Sequence, residues 1–416
     1  MKPFGYKNGK LFCEDVPVAE LARRTGTPFY LYSQSAFDQQ FRAFDEAFAP
    51  QPHLTCYAVK ANSNLAILSL FRTLGAGFDV VSVGELRRAL AAGADPKKII
   101  FSGVGKTEDE IDFGLSRGIL QFNVESAAEI KMLEARAQAL GKTANFALRV
   151  NPGVDSGTHP YIATGSRHHK FGISIEDSIE IYRRARRSSH LRITGTACHI
   201  GSQITSIEPF LTALRRLRGI FLDLRAQGVD VQHLDLGGGL GIVYHDEEPP
   251  CPGDYARAVL ALVRDLDCTL VLEPGRVIVG NAGVLITRVV LTKQMGRKNF
   301  IVVDAGMSDL MRPSLYGSYH GIQAVALTRR GKWKADVVGP ICESGDFFAH
   351  DREMPIVKAK ELLAVMSAGA YGFALSSNYN TRSRPAEVLV CGRRAKVIRT
   401  RDRFQDLIRG ESDKPL

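Results

Sequence analysis

The sequence predicts an α/β barrel of the (β/α)8 kind joined to an all-β domain. Three observations carry that expectation. Between about residues 36 and 280, apolar strand-like runs alternate with amphipathic helical runs roughly eight times, the rhythm of parallel strands linked by crossover helices. After about residue 280 helices become scarce and short strands punctuated by turn residues take over. The length of 416 residues exceeds one small domain and suits two.

In order, residues 1–35 offer a helix near Val18–Thr25 and a strand at Pro28–Tyr32, expected to pack with the β domain. Residues 36–280 form the expected barrel. Its first strand runs from His53 to Val59 and stops at Lys60, and a helix follows from Leu65, capped by Asn62 or Ser63. Later strands end at Val80–Ser82, Ile100–Gly103, Phe122–Glu125, Leu148–Pro152, Ala197–Gly201, Leu234–Gly239 and Leu270–Arg276. Gly93 closes a helix over Gly84–Ala92. Ser126 and Glu129 form a capping box for Ser126–Leu140, which ends at Gly141.

The stretch after Pro152, through His159, Tyr161, Gly165, His168, His169 and Phe171, is longer than an ordinary βα loop. Long loops at a barrel mouth often carry function; His168–Gly172 also reads as a basic turn. Residues 281–416 form the expected β domain, with strands at Val284–Thr292, Phe300–Asp304, Ala324–Thr328, Lys334–Val338 and Glu387–Val390 and a turn at Gly296–Asn299.

Composition narrows the function classes. Hydrophobic content of 45% and charged content of 24% are those of a globular protein. No apolar run reaches the ~18 residues of a membrane span, and the amino end lacks a signal-peptide pattern. A cytoplasmic protein without a membrane partner is expected. The net charge of +10 is spread along the chain rather than gathered beside aromatics, so no nucleic-acid partner is expected; an anionic substrate or cofactor suits it better. Arg183–Arg187 reads as a solvated helix face. Seven cysteines show no C-x-x-C pair or metal-ligand spacing, so no metal is expected.

Chemistry gathers at the strand ends, where parallel barrels keep their active sites. Lys60 there can lose its proton when desolvated and attack a carbonyl, or be a plain solvated lysine. Gly237–Gly239 and Gly241 follow the seventh strand, and Glu273-Pro274-Gly275-Arg276 the eighth. Loops in those two places commonly hold a phosphate; the alternative is two tight turns. Glu273 could keep the nitrogen of an aromatic heterocycle protonated. His199 could stack on such a ring or be a structural histidine.

Several stretches together resemble one family. They are Tyr57–Asn62, Phe78–Leu86, His199–Gln203, Leu236–Gly239, Glu273–Arg276, Asp304–Met307, Arg312-Pro313, Leu315-Tyr316, Cys342–Asp346 and Ala370–Gly372. In this order they resemble the alanine-racemase-like class of pyridoxal-phosphate enzymes and, within it, the diaminopimelate decarboxylases. The resemblance implies a (β/α)8 barrel with a C-terminal β domain, and pyridoxal 5'-phosphate held covalently by Lys60. It implies a stacking role for His199. It implies a phosphate set of Ser202, Gly238, Gly239, Gly275 and Arg276, with Pro274 in the same loop and Tyr371 nearby. Glu273 is the implied partner of the ring nitrogen. Arg276, Arg312, Tyr316, Glu343 and Tyr371 are implied substrate contacts, and Cys342 the implied proton donor. The family also implies a homodimer in which the cysteine segment reaches the other subunit's site.

The activity so implied is decarboxylation of meso-diaminopimelate to L-lysine, the last step of lysine biosynthesis. Two arginines suit a distal carboxylate, Glu343 a distal ammonium. The nearest alternative is a decarboxylase of ornithine, arginine or carboxynorspermidine, whose substrate would not need Arg312. A racemase, or a non-catalytic cofactor carrier, fits the cysteine segment and the β domain less well. For the remaining cysteines (Cys13, Cys56, Cys198, Cys251, Cys268 and Cys391) the expected role is that of a small buried hydrophobe.

Overall fold

The computed structural model describes residues 3–155, 157, 159 and 170–414. Two compact units divide the chain. One comprises Gln40–Ile242 and Glu247–Ile278; the other comprises Met1–Gln39, Val243–Asp246 and Val279–Leu416.

The first unit is a closed eight-stranded barrel. Its strands, labelled along the barrel, are β1 His53–Ala58, β2 Gly77–Val80, β3 Ile99–Phe101, β4 Gln121–Val124, β5 Ala144–Arg149, β6 Leu191–Ala197, β7 His233–Asp235 and β8 Thr269–Leu272. Neighbours are parallel throughout, and β8 closes on β1 with Leu272 opposite Thr55. The strands read as apolar runs because barrel interior and outer helices cover both faces. Every residue of β2, β3 and β4 is buried.

Helix starts differ from expectation in two places. The helix Leu65–Thr73 is capped by Asn64, whose side chain accepts from the Ala66 N–H at 3.0 Å. Asn62 is extended instead and uses its Oδ1 on the Asn64 N–H. Ser126 does cap the helix Ala127–Ala139, accepting from the Glu129 N–H. The Glu129 carboxylate, however, takes the Glu125 N–H at 2.8 Å and the buried Lys106 ammonium at 2.7 Å. Both carboxylate oxygens are thus engaged elsewhere than at the Ser126 N–H that would complete a capping box. Thr107 and Glu110 form the reciprocal box the sequence assigned to Ser126.

The second unit is mainly sheet. Phe29–Ser33, wholly buried, lies at its centre, antiparallel to Gly283–Met295 and parallel to Ala386–Cys391. Leu31, Val284, Ile286, Ala364 and Val388 pack in the core there. Besides Phe29–Ser33, the strand Gly283–Met295 serves two further neighbours. Its first half pairs with Leu362–Val365; beyond an irregularity at Val289/Leu291 its second half pairs with Lys298–Val303. The expected strand Ala324–Thr328 is reduced to Ile322–Ala324, because Val325 bonds Leu362 while Leu327 bonds Gly9. Phe347–Pro355 and Arg394–Arg399 are further strands that the sequence pattern did not suggest.

On the surface, Arg183 and Arg184 are exposed on the helix Ile175–Ala185 and pair with Glu180. Cys13, Cys56, Cys198 and Cys268 are buried. Cys251 is not: it is exposed, and its Sγ caps the helix Pro252–Val263. Tyr161, Gly165, His168 and His169 of the long loop lie outside the described residues. Among the described residues no helix is long and apolar enough to cross a membrane.

Candidate active site

Polar side chains converge where the barrel strands end. Lys60 stands two residues past β1, in the short turn Val59–Ala61, and donates to Asp79 Oδ2 at 2.5 Å. Asp79 belongs to β2 and is fully buried. Asn123 of β4 donates to Asp235 Oδ2 of β7 at 2.8 Å and to Glu273 Oε1, just beyond β8, at 3.2 Å. Ser102 reaches the same Glu273 oxygen at 3.4 Å. Above this floor lies a cavity of about 420 Å³, lined among others by Lys60, Ser102, Asn123, Arg149, His199 and Glu273.

The floor has a surplus of acid. Burial holds Glu273 well above the usual carboxylate range, and Asp235 and Asp79 add to it; Lys60 and Arg149 only offset the effect. Burial, aided by Asp79, pushes Asp235 up to about 6 against hydrogen bonds from Asn123 and Gly237. Among the described residues, Asp79 Oδ1 has no hydrogen-bond partner. Such a floor favours a proton or a cation above it. At the rim, burial lifts Glu85 to about 7, although the Val81 N–H and Lys60 work the other way.

His199 follows β6. Its Nδ1 accepts from the Gly238 N–H at 3.1 Å, so the ring proton sits on Nε2. Burial, then Arg149 and Lys60, hold the ring well below the usual histidine range. The result is a neutral, fixed imidazole on the cavity wall.

The glycine loop has a different rationale from the expected one. A Cβ on Gly237 would meet Cys198 O at 2.5 Å, and one on Gly238 would meet Glu273 O at 2.2 Å. Glycine is therefore required by the close approach of the β6 and β8 ends. The Gly237 amide donates to Asp235 and the Gly238 amide to His199, so neither is aimed at an anion. The cationic feature nearby is Arg276, buried, with its Nη2 2.9 Å from Ser202 Oγ. Gly275 packs 3.1 Å (as a built Cβ) from Ala58 and Ala61, beside the Lys60 turn, and Pro274 O accepts from the Ala58 N–H.

The opposite wall is fully paired. Arg149 meets Glu125 at 2.9 Å and faces the Phe171 ring at 4.8 Å. Glu125 also accepts from the Gly103 and Gly172 amides. Buried Lys106 donates to Glu129, Asn123 O and Gly103 O within 2.8 Å.

The remaining sequence-predicted residues belong to the second unit. Arg312 is buried at the start of the helix Arg312–Tyr316, with half-buried Tyr316 at its end. Ser314 Oγ donates to Gly345 O at 2.5 Å, tying that helix to the Cys342–Asp346 segment. Asp346 anchors the segment by accepting from the Ile341 and Met307 amides. Cys342 and Glu343 are exposed at its tip, and a hydrogen bond to Glu343 raises Tyr379. Tyr371 is half-buried with φ of 54°.

The sequence reading passed over Asp79, Ser102, Asn123, Arg149 and Asp235. Their signal was a polar residue inside an otherwise apolar, doubly covered strand, as in Phe78-Asp79-Val80 and Leu234-Asp235-Leu236.

A parallel barrel with a lysine, an acid floor and a neutral histidine at its mouth defines a site built for a carbonyl cofactor that carries a cationic ring. Residues 34–280 match the family model described as pyridoxal-dependent decarboxylase, pyridoxal binding domain. The chain is 52% identical to the diaminopimelate decarboxylase of Pseudomonas aeruginosa over 412 residues, covering 99% of each. The structure of diaminopimelate decarboxylase from M. jannaschi superposes with a TM-score of 0.95 at 37% identity, covering 99% of this chain and 98% of that one. That of the Helicobacter pylori enzyme, complexed with L-lysine, gives 0.92 at 42% identity, covering 94% and 98%. The chain belongs to the pyridoxal-dependent decarboxylases.

Proposed function

We propose that this chain decarboxylates meso-diaminopimelate at its D-configured end and releases L-lysine. The observation that carries the reading is the pairing of Lys60 with Asp79 above the buried floor of Asp235 and Glu273. A cationic ring nitrogen over that floor would relieve its acid surplus, and the Arg276–Ser202 pair suits a phosphate. The residues present therefore fit pyridoxal 5'-phosphate, and full-length relatives named for this reaction support the substrate. When bound, this cofactor supplies an electron sink for the carbanion left by carbon dioxide.

The chain's own residues then have distinct tasks. Lys60 holds the cofactor, and Asp79 orients the lysine amine. Glu273 keeps a proton on the ring nitrogen. His199, neutral, offers its face to the ring without a competing charge. Ser202, Arg276, Gly239 and the Pro274-Gly275 turn, with Tyr371, receive the phosphate, and Gly238 lets the chain pass close beside them. Arg276 and Arg312 grip the distal carboxylate, Glu343 takes the distal ammonium, and Tyr316 and Tyr371 complete the substrate's surroundings. Cys342 returns the proton.

The functional division is a cofactor barrel over 36–280 and a β domain over 281–416 joined by residues 1–35. The working form is a cytoplasmic homodimer in which Cys342–Asp346 of one subunit completes the site of the other. Carbon dioxide release from meso-diaminopimelate, with ornithine, arginine and lysine run in parallel, tests the reading. Release from meso-diaminopimelate alone is expected. Release from another amino acid instead would refute the substrate and keep the Lys60 chemistry.

A further inference from the structure

Inside the second unit, the Arg312 guanidinium is held from several directions. Fully buried His320 places Nε2 3.1 Å from Arg312 Nη1. Its other ring nitrogen, Nδ1, lies 2.8 Å from Met366 O. A carbonyl only accepts, so Nδ1 carries the proton; Nε2 is then a lone pair facing a guanidinium that only donates. Both neighbours thus demand the same tautomer. Ser318 Oγ accepts from Nη2 at 3.3 Å, and the Tyr244 ring faces the guanidinium at 4.5 Å. Tyr244 also meets His320 edge to face at 5.4 Å, and Arg352 donates to His320 O at 3.0 Å.

We propose that His320 is a positioning residue for substrate recognition: with Tyr244 on its face, it fixes Arg312 as a rigid fork for the distal carboxylate. The inference rests on the assignment of Arg312 to that carboxylate. A free arginine would lose side-chain freedom on binding; one already fixed loses little, so affinity rises without a new contact to the ligand.

Two substitutions separate the two bonds of the ring. His320→Asn keeps a donor where Nδ1 bonds Met366 and removes the acceptor for Arg312. His320→Gln puts an amide oxygen near the place of Nε2 and restores that acceptor. In calorimetry of the cofactor-loaded protein with L-lysine, His320→Asn is expected to bind about 10-fold more weakly, and His320→Gln within about 3-fold of wild type. For meso-diaminopimelate, KM should rise in His320→Asn while kcat stays within about 3-fold, the split expected of lost binding common to ground and transition states. Wild-type affinity in His320→Asn, or equal weakening in both variants, would overturn the proposal. Arg312→Ala provides the reference. If it binds L-lysine as wild type does, the assignment of Arg312 fails and this inference with it. If it weakens binding and His320→Asn does not, only the positioning role fails. Should His320→Asn not fold by circular dichroism, Tyr244→Leu carries the test: about 3-fold or greater weakening supports the clamp, and none overturns it.

Discussion

Two groups of buried charge face each other across the barrel mouth, and they are built on opposite principles. In the wall of Lys106, Glu129, Glu125 and Arg149, each charged group has charged or backbone partners at hydrogen-bond distance. In the floor of Asp79, Asp235 and Glu273, three carboxyls share one lysine, and two are driven up in pKa by burial and by the charge of Asp79. The first arrangement holds loops in place. The second is incomplete by itself and asks for a cationic ligand. The difference teaches that buried charge marks a binding site when it is left unbalanced, rather than merely when it is buried.

The largest test removes the single cation of the floor. Lys60→Ala should abolish covalent cofactor attachment, seen as loss of its visible absorbance, and lower kcat by at least about 10³-fold. Next is the paired wall. Lys106→Met leaves Glu129 buried without its ammonium and should destabilise the protein by about 3–5 kcal/mol, read as a lower urea midpoint.

Glu273→Gln is expected to move stability the other way. Relief of like-charge burial should raise the melting temperature of the cofactor-free protein, while kcat falls about 10²- to 10³-fold. An equal fall in stability for both substitutions would erase the distinction between wall and floor.

A pH scan sharpens it. Asp235 and Glu85 hold their protons more tightly folded than unfolded, with folded values of about 6 and about 7. The stability they contribute is complete below their unfolded values of 3.8 and 4.5, and is lost as pH rises through the folded ones. These two groups should therefore cost the cofactor-free protein roughly 3 kcal/mol between pH 5 and 7, a share of the loss that disappears in Asp235→Asn/Glu85→Gln. The smallest effect belongs to Ser202→Ala, which should weaken cofactor affinity about 3- to 10-fold by equilibrium dialysis.

Most of the barrel was legible because its strands are short apolar runs ended by polar or glycine residues. Lys60, His199 and Glu273 stood out as those terminators. Asp79, Asn123 and Asp235 did not, since they sit inside strands where a search for terminators does not look. The glycine run was visible, but its reason was not: the neighbours that a Cβ would strike come from β6 and β8, far away in sequence. In the β domain, Phe347–Pro355 went unseen because its middle is His350-Asp351-Arg352-Glu353, without the apolar alternation of a half-buried strand.

The central place of Phe29–Ser33 has a consequence for how the protein is made. This strand leaves the ribosome early, yet one neighbour begins about 250 residues later and the other later still. At roughly 5–20 residues per second, the first wait alone lasts about 12–50 s. During that time an apolar strand is present without its sheet, a state open to pairing with the wrong chain. Synthesis of this unit is thus a matter of protecting its beginning until Ala386–Cys391 arrives to seal it.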